Sequence, residues 1–182
     1  MAAPPHRGAA PCLDAAAEDP VAAASPCTRI TRPKDHDDEV RVPTLEDIER
    51  VQLALDQQWQ LIPVVLAGTG LRVGELLGLR LSDVDFLRRT IRVERQRLQT
   101  GRIAPLKSKA SRRTVPVGQV VIDVLAAHLQ AYPAAVDTAD PALFVDEARK
   151  PLTYRRWKRL LTDARTAAGV ELTSHSFRHF AA

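Results

Sequence analysis

The sequence predicts an α+β fold, a mainly helical domain with a small three-stranded antiparallel sheet. Apolar residues recur at helical spacing before residue 82 and after residue 118, whereas residues 90–96 alternate apolar and polar side chains, as a half-buried strand does. The chain has 182 residues, of which 45% are hydrophobic and 26% are charged. That is enough for one domain with a buried core.

The first 43 residues are predicted to form a disordered tail. They are rich in alanine and proline and have neither a helical nor a strand period, so they bury too little apolar surface to fold. Cys12 and Cys27 lie here without the spacing of a disulfide framework or a metal site. No stretch of the sequence approaches the roughly 20 apolar residues of a membrane span, which predicts a soluble, cytoplasmic protein.

The predicted domain, residues 44–182, begins with three helices. Thr44 is the expected N-cap of the first, with Asp47 placed to complete a capping box. The second runs over about residues 60–67 and stops at the glycine-containing segment 68–70. The third begins near Arg72.

Three short strands are predicted within residues 86–117. They cover residues 90–96, 102–105 and 113–117, with Thr100 and Gly101 forming a turn. Two helices follow the sheet, one over residues 118–131 and a basic one that starts after Thr153 and ends at Gly169.

Positive charge is concentrated in the sheet. The whole chain has a formal net charge of +4, but residues 86–113 contain ten Arg or Lys residues and a single acid, Glu94. A local basic segment of this kind favours a polyanionic partner.

The first candidate site is T-G-L-R-V-G-E-L-L-G-L-R-L-S-D-V-D at residues 69–85. Its glycines let a helix begin abruptly at Arg72, where the guanidinium and the free backbone N–H groups favour an anion. Glu75, three residues later, is spaced to pair with Arg72 and hold its rotamer. The alternative is a routine surface ion pair on an amphipathic helix.

The second candidate site is K-S-K-A-S-R-R-T-V-P at residues 107–116, in a predicted hairpin. A lysine on such a turn can reach a phosphate and deliver a proton, while neighbouring Arg and Ser side chains hold the backbone. The alternative is a solvated basic turn that protects an edge strand from aggregation.

The third candidate site is T-S-H-S-F-R-H at residues 173–179, at the start of a final helix. Its spacing puts His175 and Arg178 on one helical face, an arrangement suited to proton transfer around a bound phosphate. His175 and His179 are four apart, as in helical zinc pairs. We expect no metal, because no third ligand has a suitable spacing in the sequence.

Taken together and in this order, the motifs resemble those of the tyrosine recombinases, the phage integrases and their chromosomal relatives. T-G-L-R-x-x-E-L-x-x-L-x-x-x-D is followed by K-S-K-x-S-x-R-x-V-P and then by H-x-x-R-H, and the resemblance covers residues 44–180. It implies site-specific DNA recombination or integration, with strands broken and rejoined through a 3′-phosphotyrosine. It also implies double-stranded DNA and other recombinase subunits as partners, and no cofactor, membrane or small-molecule substrate.

The resemblance assigns roles by position. Arg72 and Arg178 would clamp the scissile phosphate, and His175 would assist proton transfer. Lys107 would protonate the departing 5′-hydroxyl, with Lys109 as the alternative. Glu75 would support this site. The DNA contacts expected in the sheet and its turns are Arg95, Arg97, Lys109, Arg112 and Arg113.

Two features of the family have no counterpart in this sequence. Members carry a further His or Trp and then the nucleophilic Tyr some dozens of residues after H-x-x-R, but the sequence stops at Ala182. Tyr132 and Tyr154 lie before His175, and Tyr154 falls on the inward stripe of a helix, which predicts a core residue. The leader is also too short for the helical DNA-clamping domain that usually precedes the catalytic one.

Two functions are therefore compatible with the sequence. One is a catalytic fragment of a site-specific recombinase that does not cleave DNA by itself, unless a partner supplies the tyrosine. The other is a non-catalytic DNA-binding module that interferes with or regulates a full-length recombinase. In both cases we expect a nucleoid-associated protein in the bacterial cytoplasm.

Overall fold

The computed structural model describes residues 42–106, 111–133 and 140–180. The predicted tail lies outside the described residues apart from its last two positions, and so do Lys107 and Lys109. The elements follow in the order α1 (Leu45–Leu53), α2 (Leu61–Thr69), α3 (Val73–Leu77), β1 (Val84–Asp85), β2 (Thr90–Val93), β3 (Arg95–Arg97), β4 (Ile103–Pro105), β5 (Arg113–Pro116), α4 (Gln119–Ala131), α5 (Tyr154–Ala168) and α6 (Ser176–Phe180). Short 3₁₀ turns cover Gln57–Trp59 and Leu81–Asp83.

Helix α1 begins as its sequence predicts. The Asp47 backbone N–H donates to Thr44 Oγ1 at 3.1 Å, and the Thr44 backbone N–H donates to Asp47 Oδ2 at 3.0 Å. The two bonds form the predicted capping box, which satisfies two N–H groups at the helix start. Ile48 and Val51 follow on the buried face.

Helix α2 extends two residues further than predicted. It continues through Gly68 and Thr69, and Gly70 ends it in the left-handed conformation at φ 63°. Helix α4 packs closely against Gly68, and a Cβ atom at this position would lie 2.6 Å from Cγ2 of Val121. The glycine therefore makes room for α4 inside the helix, whereas the sequence predicts it as part of the segment that ends the helix.

The α+β class is confirmed, but the strands are grouped differently from the prediction. Strands β1, β2 and β5 form one three-stranded antiparallel sheet, with Ile91 opposite Val84 on one side and Val115 on the other. Strands β3 and β4 form a separate hairpin. The single predicted strand over residues 90–96 therefore divides at Glu94 into β2 and β3.

The hairpin leaves the sheet because it packs against α3. Cβ atoms added at Gly74 and Gly78 would lie 3.0 Å from the Arg97 carbonyl oxygen and from the Gln96 Cα, respectively. Two glycines one helical turn apart thus let the backbone of β3 approach the helix that begins at Arg72.

The remaining helices enclose the core. Trp59, Trp157 and Phe177 are among its largest fully buried side chains. Helix α5 starts and ends as predicted, with Thr153 Oγ1 accepting from the Arg156 N–H at 3.3 Å and Gly169 left-handed at φ 62°. Phe177 anchors the five-residue helix α6, which packs against α2. Among the helices described, none is long and apolar enough to cross a membrane.

Candidate active site

A groove of about 290 Å³ collects residues from distant parts of the chain. We call it the arginine groove. Arg72 of the first motif, and His175 and Arg178 of the third, all line it, as the sequence predicts for a common site. Its lining is completed by Leu71, Val73, Gly74, Gln96, Arg97, Leu98, Gln99, Tyr154 and Ser174.

Arg72 stands at the N-terminus of α3. Its backbone N–H donates to Glu75 Oε2 at 2.9 Å and its Nη1 donates to Glu75 Oε1 at 3.1 Å. Its side chain nevertheless remains 59% exposed. A partly exposed guanidinium held by its own helix is preorganised to bind an anion from solvent.

Glu75 is buried, with 1% of its surface exposed. Besides Arg72 it binds Arg113 of β5, whose Nη1 lies 3.2 Å from Oε1 and whose Nη2 lies 2.8 Å from Oε2. Burial by itself would raise the pKa of the Glu75 carboxyl, but the hydrogen bonds from Arg113 and Arg72 and the charge of Arg113 outweigh burial and lower the pKa below its usual value. Glu75 is therefore an ionised anchor that joins two arginines.

Arg178 reaches the groove from α6. Its Nη1 donates to the Gly70 carbonyl oxygen at 3.1 Å, across 108 positions of sequence. Gly70 is the left-handed residue that ends α2, two residues before Arg72. The bond therefore ties the second arginine to the turn that presents the first.

His175 is exposed and lies just before α6. Its backbone N–H donates to Thr173 Oγ1 at 3.2 Å, and Trp157 Nε1 donates to the neighbouring Ser174 Oγ at 3.1 Å. The His175 ring meets that of His179 edge-on, with centroids 4.8 Å apart. Within the part of the chain that the structure describes, no group of three or more His, Cys, Asp or Glu residues could hold a metal ion.

Tyr154 also lines the arginine groove. It is half-buried and packs against the core, while Trp157, three residues later, is fully buried. Tyr154 thus contacts the core, as predicted, but it also faces the arginine groove. Tyr154, Ser174 and His175 also line a neighbouring cavity of about 450 Å³.

Three of the predicted DNA-contacting arginines, Arg95, Arg97 and Arg113, bind within the protein. Arg95 forms a short ion pair with Asp83, which is 3% exposed, and a longer one with Glu94 at 3.4 Å. Arg97 lines the groove, but its Nε donates to the Leu77 carbonyl at 3.2 Å and its Nη1 to the Gly101 carbonyl at 2.9 Å. Burial, followed by the nearby charge of Arg80, lowers the Arg97 pKa from its ordinary value.

The remaining predicted contacts come from the second motif. Arg112 is exposed, Arg113 binds Glu75, and Lys107 and Lys109 are outside the described residues. The choice between the two lysines therefore stays a prediction, and so do the roles assigned to the other residues.

Asp83 and Trp157 hold residues near the site in place, and sequence reasoning did not identify them. Asp83 is the acid that ends the T-G-L-R-x-x-E-L-x-x-L-x-x-x-D pattern, and it accepts from the Arg80 N–H at 2.9 Å in addition to binding Arg95. Trp157 holds the loop before His175 through Ser174. The sequence offered one signal for Asp83, because it is an acidic residue of the motif to which no role is assigned. It offered no signal that Trp157 would hold this loop.

Both a family model and curated proteins match this chain. Residues 46–182 match the family model described as the phage integrase family. A tyrosine recombinase XerC from Corynebacterium efficiens is 34% identical over 119 residues, which are 65% of this chain and 34% of that relative. The chain thus spans about a third of the length of that curated relative.

Two solved structures are similar in fold. The crystal structure of XerA recombinase matches with a TM-score of 0.63 and 27% identity, covering 85% of this chain and 51% of that one. The Tn1549 transposon integrase, in complex with transposon right end DNA, matches with a TM-score of 0.66 and 25% identity, covering 82% of this chain and 54% of that one.

Proposed function

The chain belongs to the phage integrase family, and from this premise we propose that it acts in site-specific DNA recombination by binding the phosphate at which a DNA strand is broken and rejoined. The observation that carries the proposal is the arginine groove, in which Arg72, His175 and Arg178 meet from sequence positions more than 100 residues apart.

The chemistry of the groove suits a phosphodiester. Arg72 and Arg178 present two guanidiniums, which bind the non-bridging oxygens and stabilise the negative charge that develops on phosphorus-bound oxygen in the transition state. His175 is exposed beside them and is placed to transfer protons to and from the same oxygens. When a tyrosine attacks the phosphorus and the bond to the 5′-oxygen breaks, Lys107, or alternatively Lys109, donates the proton with which that oxygen leaves as a hydroxyl.

Double-stranded DNA is the substrate that the surroundings of the groove favour. The sequence over residues 86–113 is strongly basic, and Arg112 is exposed. The related Tn1549 integrase is solved in complex with transposon DNA. An exposed arginine beside a phosphate site is suited to contact the DNA backbone next to the bound phosphate.

The first experiment measures binding to DNA. The purified chain is incubated with nicked duplex DNA containing candidate sites, and retention is followed on a native gel. We expect retention that weakens about ten- to a hundredfold in Arg72→Ala and in Arg178→Ala, since each loses charge-assisted hydrogen bonds to phosphate. Arg159→Ala is the matched control, because this exposed arginine does not line the groove. Equal retention by all three variants would contradict the proposal.

Denaturing gels of the same reactions test for covalent chemistry. Tyr154 is the tyrosine that lines the arginine groove among the described residues. We expect no covalent protein–DNA band from this 182-residue chain, because Tyr154 packs against the core. A band that disappears in Tyr154→Phe would assign the nucleophile to Tyr154 and overturn that expectation.

A further inference from the structure

The pairing of Arg113 with Glu75 is stronger than a surface ion pair. Both guanidinium N–H groups face both carboxylate oxygens, at 3.2 Å and 2.8 Å, and the carboxylate is 2% exposed. Such a two-point contact fixes the plane of both groups. Two further contacts fix Arg113. Its Nη1 donates to the Ser111 carbonyl oxygen at 3.3 Å, and its backbone pairs with Val93 in the sheet.

The pair changes the charge that Arg72 offers to a ligand. Arg72 and Glu75 by themselves have a net charge of zero, whereas the group of Arg72, Glu75 and Arg113 has a net charge of +1. A buried carboxylate with one cationic neighbour would draw that neighbour into a full ion pair, because an unpaired buried charge is costly. Arg113 neutralises the Glu75 carboxylate through two hydrogen bonds. Arg72 therefore donates to Glu75 only from Nη1 and from its backbone N–H.

We propose that Arg113 is a positioning residue that keeps the Arg72 guanidinium available to the DNA phosphate by neutralising Glu75. This inference rests on the proposed function. It replaces the predicted role of Arg113 as a direct DNA contact. Arg113 holds Glu75, Glu75 orients Arg72, and Arg72 binds the phosphate.

The test measures duplex DNA affinity as a function of salt concentration. Each direct phosphate contact contributes about 0.9 to the slope of log affinity against log salt, so a residue that acts through Arg72 changes the slope only while Arg72 is present. Arg113→Met is expected to weaken binding about ten- to a hundredfold, the size of one lost charge-assisted interaction, and to lower the slope by about one in the wild-type background but not in an Arg72→Ala background. Arg112→Met, at the exposed neighbouring position, is the matched control and is expected to lower the slope by about one.

Glu75→Gln provides the second arm. Once Glu75 is neutral, Arg113 has no charge to neutralise, so Arg113→Met should weaken binding less than about threefold in a Glu75→Gln background. Arg113→Lys keeps the charge and should restore most of the affinity. Circular dichroism and thermal melts establish that each variant is folded, and Arg113→Lys carries the test if Arg113→Met does not fold.

Each result decides between roles. A slope that Arg113→Met leaves unchanged in the Arg72→Ala background, together with suppression by Glu75→Gln, supports the inference. A slope that Arg113→Met lowers by about one more in the Arg72→Ala background shows a direct phosphate contact and overturns the inference, as does a loss of affinity that persists in the Glu75→Gln background or no loss at all. Failure of the unsubstituted protein to bind DNA would instead contradict the proposed function, and with it the inference that rests on that function.

Discussion

Individual buried polar residues in this protein differ in how their burial is compensated. Glu75 is almost fully buried, yet both of its oxygens accept hydrogen bonds from arginines, so its charge is retained. His128 on α4 is also buried, but its Nε2 has no hydrogen-bond partner in the described part of the chain. Its neighbours include the rings of Tyr132 and Phe144. A neutral imidazole fits that environment and an imidazolium does not.

The first residue-scale prediction follows from His128. Burial lowers the pKa of His128 below its ordinary value of 6.5, so in acid the unfolded chain binds a proton that the folded chain resists. The free energy of unfolding is therefore unaffected by His128 above about pH 6.5. It should fall as the pH drops below that value, by at most about 1.4 kcal/mol per pH unit.

Urea unfolding of the protein and of His128→Leu across this pH range checks the effect. The substitution should flatten the decline, because leucine has a similar size and does not titrate. His179→Gln, at an exposed position, serves as the control and should keep the decline. An unchanged profile in His128→Leu would place the titrating group elsewhere.

At the scale of elements, the site depends on how α3 meets β3. Helix α3 has only five residues and begins at Arg72, so its own hydrogen bonds stabilise it weakly. Its position is held by contacts: β3 packs along Gly74 and Gly78, and the β5 residue Arg113 binds Glu75. The hairpin in turn brings Gln96, Arg97 and Leu98 to the wall of the arginine groove.

The element-scale prediction concerns Gly78. A Cβ atom there would lie 3.0 Å from the Gln96 Cα, 3.1 Å from its carbonyl carbon and 3.2 Å from the Arg95 carbonyl oxygen. Backbone atoms move less easily than side chains, so Gly78→Ala should lower the free energy of unfolding by about 1–3 kcal/mol. It should also weaken DNA binding by displacing the groove wall. Chemical denaturation and native gels measure the two effects.

Gly118→Ala is the matched control for Gly78→Ala. A Cβ atom at Gly118 meets nothing within 4 Å, and its φ of −67° is accessible to alanine. Alanine is a poorer N-cap of α4 than glycine but restricts the unfolded chain, and because these two effects oppose each other we expect a loss of less than about 1 kcal/mol. Equal losses in the two variants would mean that β3 can move away from α3 without cost.

On the scale of the whole molecule, charge is distributed between internal pairs and surface. Arg95 and Arg113 are partly buried against carboxylates, whereas Arg112 is exposed and Arg72, although paired with Glu75, keeps most of its side chain in solvent. The formal net charge of +4 therefore does not tell which of the arginines are available to a polyanion.

The corresponding prediction is that DNA binding depends strongly on ionic strength. Log affinity for a labelled duplex should decline linearly with log salt, because bound phosphates release their counterions. Fluorescence anisotropy titrations at several salt concentrations measure the slope. Arg72→Ala should lower the slope by about one, and Arg159→Ala should leave it unchanged. An affinity that does not vary with salt would contradict binding through phosphate contacts.

Most of the architecture and the location of the site could be predicted from sequence. Helix caps at Thr44, Thr153 and Gly169 depend on bonds within a few residues, so the local sequence is sufficient to locate them. The order of the three motifs also indicated that Arg72, His175 and Arg178 share one site, where the structure indeed places them.

Only the tertiary structure decided which partner each arginine takes and which strands pair. Arg113 binds a carboxylate 38 positions away, Arg178 binds a carbonyl 108 positions away, and β3 leaves the sheet because two glycines of α3 admit its backbone. Sequence spacing specifies contacts along one helix or strand. Contacts between elements depend on the distances that core packing sets, and these are known only once the chain has folded.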